Sequence, residues 1–190
     1  MSSELETIMF ADGPAFEAWL KENHTKSPGI WMHFAKKNSP FKSVSYPEAV
    51  EISLCYGWID GQSKSLDEHS YLQRYTPRRV RSIWSKINRA KVEKLIEQGR
   101  MQPAGLAEIE RAKADGRWEQ AYDSPSTATV PEDLAAELAV KAQAAAFFES
   151  LNKTNRYAIL WRLQTAKKPE TRRARLEKIM DMLERGEKFH

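Results

Sequence analysis
The apolar positions of the chain follow two different periods, and the switch between them predicts a mixed fold. Phe16, Trp19 and Leu20 recur at i, i+3 and i+4, the spacing of a helix that buries one stripe. Asp12-Gly13-Pro14 stands before them as a cap, so the helix is expected to run to about Asn23. Glu6–Phe10 reads as a short strand or a lead-in. After the turn Ser27-Pro28-Gly29, Ile30–Ala35 sets large apolar residues in alternation, with His33 among them, and reads as a strand. Ser45-Tyr46-Pro47-Glu48 has the form of a capping box, in which the Ser45 hydroxyl and the Glu48 carboxylate each accept from the other residue's backbone N–H. The helix it opens carries Ala49, Val50, Ile52, Leu54 and Cys55, and Gly57 is a natural stop. Trp58-Ile59-Asp60-Gly61 reads as the turn leading out. Gln62–Leu66 and Tyr71–Tyr75 read as a hairpin joined by the polar turn Asp67–Ser70.

From Ser82 onward the strand pattern is gone. Ser82 or Ser85 is placed to cap a helix reaching about Gln98. Pro103 and Gly105 punctuate before a helix over about Leu106–Asp115. Asp123–Thr129 is a polar loop. Pro131 opens an Ala-rich helical stretch that breaks near Val140 and resumes to Leu151. Thr154 is placed to cap the next helix, through about Lys167. The last helix follows Pro169, with Leu176, Ile179, Met180 and Leu183 at i, i+3, i+4 and i+7 and Gly186 at its end. The expectation is an α+β fold: a small, mostly antiparallel sheet with flanking helices over residues 1–81, then a helical half over residues 82–190, both closing into one domain.

Composition sharpens this reading. The chain has 190 residues, 41% of them hydrophobic, and six Trp, which is the profile of a folded protein. Its formal net charge is only +4, but the charge is unevenly placed. Residues 74–94 hold eight Lys or Arg against one Glu, and residues 162–178 hold seven against two acids. The rest of the chain is therefore acidic. One cysteine, Cys55, excludes an intrachain disulfide and a cysteine-built zinc site. The N-terminal MSSELETIMF contains acids and no apolar run, and no stretch has the length of a membrane span. The cytoplasm is the expected compartment.

The candidate chemistry gathers between the hairpin and the helix after it. Arg74, Arg78, Arg79, Arg81 and Lys86 precede or open that helix, with Tyr71, Tyr75 and Trp84 interleaved. A helix N-terminus beside arginines suits a phosphate or a carboxylate. Trp58, Asp60, Lys64, Arg74, Arg78 and Trp84 are the expected ligand-binding residues. The bland alternatives weigh against each: Trp58 as core, Asp60 as a turn hydrogen bond, and the basic run as a solvated face paired with Glu48, Glu51, Asp60 or Asp67. Glu48 and Glu51 share a helix face, which is one geometry for acid–base work, although Glu48 also has its capping role. Cys55 lies at the end of its helix, where the dipole disfavours a thiolate, and is read as structural. His24, His33, His69 and His190 form no metal-ligand pattern. There is no phosphate loop, dinucleotide fingerprint or nucleophile elbow, so no catalytic residue and no cofactor are assigned.

CYGWIDG, YLQRYTPRRVRSIWSKIN, GRMQPAGLAEIERAKADGRW and AKKPETRRARLEKI together resemble the bacterial YdeI/OmpD-associated, or bacteriocin-protection, family over nearly the whole chain. The resemblance implies a role in resistance to bacteriocins or antimicrobial peptides. It carries no reaction and no cofactor. Two function classes remain open from the sequence alone, with a third behind them. One is a protective protein that binds a small anion at the hairpin-to-helix junction. Another is a nucleic-acid-associated protein using both basic segments. The third is a ligand-free module that binds another protein through its basic run.

Overall fold
The structure is a computed structural model and describes residues 5–189. Residues 1–4 of the acidic N-terminus and His190 lie outside the described residues. Four strands and eight helices follow in the order β1 (Glu6–Ile8), α1 (Gly13–Asn23), β2 (Ile30–Ala35), α2 (Tyr46–Cys55), β3 (Trp58–Ser65), β4 (Ser70–Pro77), α3 (Lys86–Glu97), α4 (Pro103–Ala114), α5 (Glu132–Val140), α6 (Ala142–Ser150), α7 (Lys153–Gln164) and α8 (Pro169–Glu184). The fold is α+β, with a mostly antiparallel sheet and a helical C-terminal half. Chain contacts divide it into two compact units. The first runs to Ile83 and adds Asn88–Glu119, so it takes in α4 and most of α3. The second holds Trp84–Ile87 and the chain from Gln120 onward.

In the first unit the sheet order is β1-β2-β4-β3. β1 and β2 are parallel, with α1 as the crossover between them. β2 pairs antiparallel with β4, and β3 and β4 form the hairpin. Side chains alternate across the sheet, and directly opposed residues share a face. Ile30, Met32 and Phe34 of β2 and Tyr75 of β4 are buried, as are Phe16 and Leu20 of α1 and Ala49, Val50 and Leu54 of α2. Phe16 lies edge-on to Tyr75 at 5.9 Å between ring centroids, and Phe34 stacks on Tyr71 at 5.2 Å. The other face carries Trp31, His33 and Ala35, all half-exposed, with Leu72, Arg74 and Lys64 beside them. In the second unit α5 to α8 close around Leu134, Phe148, Ile159, Leu163, Ile179, Met180 and Leu183. The apolar stripe expected on the last helix is the one that is buried.

Several local expectations change. Trp58-Ile59-Asp60-Gly61 is not a turn but the first half of β3, paired with Tyr75 to Pro77 of β4. Strand pairing overrides its turn-forming composition, and the glycine and Gln62 are absorbed as a register shift between Asp60 and Ser63. Ser45 caps α2 by accepting from the Glu48 N–H at 3.4 Å, but Glu48 does not return the bond. Its Oε1 lies against Gly13, where an added Cβ would sit 2.2 Å away. Gly105 is inside α4 rather than before it. α7 is capped by Asn152, whose Oδ1 accepts from the Asn155 N–H at 2.9 Å, in place of Thr154.

Candidate functional site
Five of the six residues expected to meet a ligand lie in the first unit, and they do not converge on one spot. Trp58 is 1% exposed. It lies edge-on to Trp19 at 5.7 Å, and its Nε1 donates to the His24 carbonyl at 3.1 Å, so it fills core. Asp60 opposes Tyr75 on the helix-covered face and accepts from the Tyr46 hydroxyl at 2.7 Å. Arg78 is buried just past β4, with Nη1 donating to the Ile83 carbonyl at 3.3 Å. Trp84 is buried and belongs to the second unit. Lys64 and Arg74 lie on the opposite face of the sheet from Trp58 and Asp60.

There the cross-strand register builds a small cationic surface. One row runs His33, Leu72, Lys64 across β2, β4 and β3, and the next pairs Trp31 with Arg74. The Lys64 ammonium lies 4.4 Å from the centroid of the Trp31 ring, a cation–π contact worth about 0.5–1 kcal/mol where it is exposed. Arg74 Nε and His33 Nε2 are both buried and have no hydrogen-bond partner. The His33 ring lies edge-on to Phe41 at 5.7 Å. Among the described residues no carboxylate pairs with Lys64 or Arg74. This contrasts with the rest of the basic run. Lys86 pairs with Asp123 at 2.8 Å, Lys91 reaches Glu51 at 3.6 Å, and Arg89 donates to the Trp118 carbonyl at 2.7 Å. Trp31 is the residue that the sequence reading passed over. Its place in an alternating strand, out of phase with Ile30, Met32 and Phe34, puts it on the non-core face.

The other candidates lose chemical force. Burial pushes the Cys55 thiol up to about 11, against nucleophilic use. Glu51 is held between Lys91 and Arg100 instead of facing a substrate with Glu48. Among the described residues no three His, Cys, Asp or Glu side chains lie close enough together to hold a metal ion. No helix among them is long and apolar enough to cross a membrane. The buried hydroxyl of Tyr75 has no hydrogen-bond partner, and desolvation with nearby Asp60 drives its pKa far up, so it stays protonated.

Comparison with known proteins gives two matches along the chain. Residues 8–108 match a domain of unknown function (DUF8412), and residues 127–186 match the family described as bacteriocin-protection, YdeI or OmpD-associated. No curated protein and no solved structure matches the chain. The first match spans β2 to β4, α1 to α3 and the Trp31–Lys64–Arg74 surface, more than half of all residues. The second spans α5 to α8 and contains the AKKPETRRARLEKI segment. The chain therefore belongs to the family of that domain of unknown function, and its helical C-terminal part matches the bacteriocin-protection, YdeI or OmpD-associated family.

Proposed function
We propose that the protein is a binding protein for a small anion, a phosphate or a carboxylate, and that this binding serves the protective role its family is named for. The anion would sit on the face of the sheet turned away from Phe16 and Tyr75, between Lys64 and Arg74 and against the rim of Trp31. The observation that carries the proposal is the buried, unpartnered Nε of Arg74, in the cross-strand row next to that of an ammonium group that pairs with no acid among the described residues. A buried donor without an acceptor costs about 1–3 kcal/mol, and an anion would supply that acceptor. The rigid register of three paired strands holds both cations in place before any ligand arrives, which limits the ordering cost of binding. Of the six residues expected from the sequence, Lys64 and Arg74 are retained, and Trp31 and His33 join them.

Thermal melting in inorganic phosphate tests this. Millimolar phosphate is expected to raise the Tm of the parent chain, because a ligand that binds only the folded state stabilises it. The rise should vanish in Arg74→Ala and shrink in Lys64→Ala. An unchanged melting temperature in the parent, or an equal rise in Arg74→Ala, overturns the proposal. A titration in salt separates it from nucleic-acid association. A binder of several backbone phosphates loses roughly 10³-fold in affinity between about 50 and 200 mM salt, and a single-anion site loses far less.

A further inference from the structure
The second unit carries a cleft of its own, and its lining is unusual for this chain. It lies between α7 and α8, has a volume of about 330 Å³, and is floored by Ile179. Its walls hold Arg162, Arg175 and Lys178 and no acidic residue. On α8 the neighbouring arginines are neutralised: Arg172 is bound by both oxygens of Asp133 at 2.7 and 2.8 Å, and Arg173 meets Glu177 at 3.1 Å. Arg175 and Lys178, three residues apart and so on one face, have no such partner among the described residues. Arg175 is nevertheless fixed. Its Nη1 donates to the Arg162 carbonyl at 2.6 Å and to Thr165 Oγ1 at 3.4 Å, and its remaining donors are unengaged.

The other wall is aromatic. Trp161 lines the cleft and is 36% exposed, although it belongs to a helix with an apolar face available for it. Phe189 closes the far end, with the Arg162 guanidinium 3.8 Å from its ring centroid. Arg162 is thereby consumed as a wall, leaving Arg175 and Lys178 as the two cations open to a ligand. Two cations match a phosphate dianion better than a single carboxylate. An exposed indole next to them offers a stacking platform for a base. A volume of about 330 Å³ stands near the lower end of small-molecule sites, which suits a single nucleotide.

We propose that this cleft binds a nucleoside monophosphate, with the phosphate on Arg175 and Lys178 and the base against Trp161. The site is separate from the sheet face and does not depend on it. Isothermal titration with AMP, adenosine and inorganic phosphate tests it on the full chain. AMP is expected to bind, and adenosine and phosphate each to bind at least about tenfold more weakly, since each keeps only one of the two recognition elements. Lys178→Glu and Trp161→Ala change exposed side chains. Each should weaken AMP binding by about tenfold, the scale of one lost stacking or charge-assisted contact, and Lys178→Glu should do so while leaving the melting temperature of the free protein unchanged. Arg74→Ala should leave AMP binding intact, so the two sites fail or stand separately. No AMP binding at millimolar concentration overturns the proposal, as does AMP binding indifferent to Lys178→Glu and Trp161→Ala. Tighter binding of a single-stranded oligonucleotide than of AMP, lost in the same variants, would overturn the mononucleotide in favour of nucleic acid.

Discussion
Gly105 shows how much one residue decides in the first unit. It lies in the first turn of α4, where an added Cβ would fall 2.3 Å from the Cys55 carbonyl oxygen and 2.7 Å from that of Leu54. Both obstacles are backbone, so neither swings aside. The missing side chain is what lets α4 approach the end of α2, and the Gln102 N–H donates to the same Cys55 carbonyl at 3.1 Å. Gly105→Ala is therefore expected to destabilise the protein by about 1–3 kcal/mol or more, although alanine is the better helix former. Chemical denaturation followed by tryptophan fluorescence measures it, and an unchanged midpoint would contradict the close approach. The sequence marks Gly105 only as punctuation, because a contact between residues about fifty positions apart leaves no local trace. Asp60 makes the same point. Its neighbours suggest a turn, yet its register opposite Tyr75 and its bond to the Tyr46 hydroxyl place it on a strand facing the helices.

At the scale of elements, α5 is tied to α8 by one paired contact. The Arg172 guanidinium grips both Asp133 oxygens and also donates to the Leu163 carbonyl at 2.8 Å, so it touches three helices. The hydrogen bonds from Arg172 hold the Asp133 carboxyl below its ordinary value of 3.8. A carboxylate with a lowered folded pKa contributes stability that is present above the ordinary value and lost as pH falls below it. Both partners are about one-third exposed, which limits the contribution to about 1 kcal/mol. Asp133→Asn should lower stability by that order at neutral pH and flatten the acid limb below 3.8, read by denaturation midpoints across pH. A variant that loses equal stability relative to the parent at pH 7 and at pH 3 would remove the role given to the charge. The helices themselves were legible. Asp12, Ser45, the break near Val140 and the stripe from Leu176 to Leu183 are local signals, and each element they mark is present. The start of β3 was not legible, because pairing with β4 extends it four residues beyond its own strand-like composition.

For the molecule as a whole, the titrating groups define a window of stability. Burial raises the Cys55 thiol from 9.0 to about 11 and the Tyr157 phenol from 10.0 to about 12. Groups raised in the folded state contribute fully below their unfolded values and lose that contribution as pH climbs through the folded ones. Stability should therefore hold from above the carboxylate range up to about 9 and decline beyond it. Cys55→Ala removes the first of these groups and should move the onset of the decline toward 10, where the tyrosines begin. A decline that still begins near 9 in that variant would assign the alkaline limb elsewhere.

Local pattern was enough to mark most of the helices and strands, the α+β class and the two stretches where basic charge concentrates. Periodicity, capping residues and counts of charge act over a few residues, so they can be read without knowing what lies opposite. Which cations are left without an acid, and which face each side chain takes, came from the packed fold. Strand register put Lys64 and Arg74 around Trp31 and turned Asp60 and Trp58 to the other side of the sheet. Helix pairing drew Arg172 onto Asp133 and left Arg175 and Lys178 lining an open cleft. A charge becomes a recognition group through what surrounds it, and those surroundings come from residues far away in the chain.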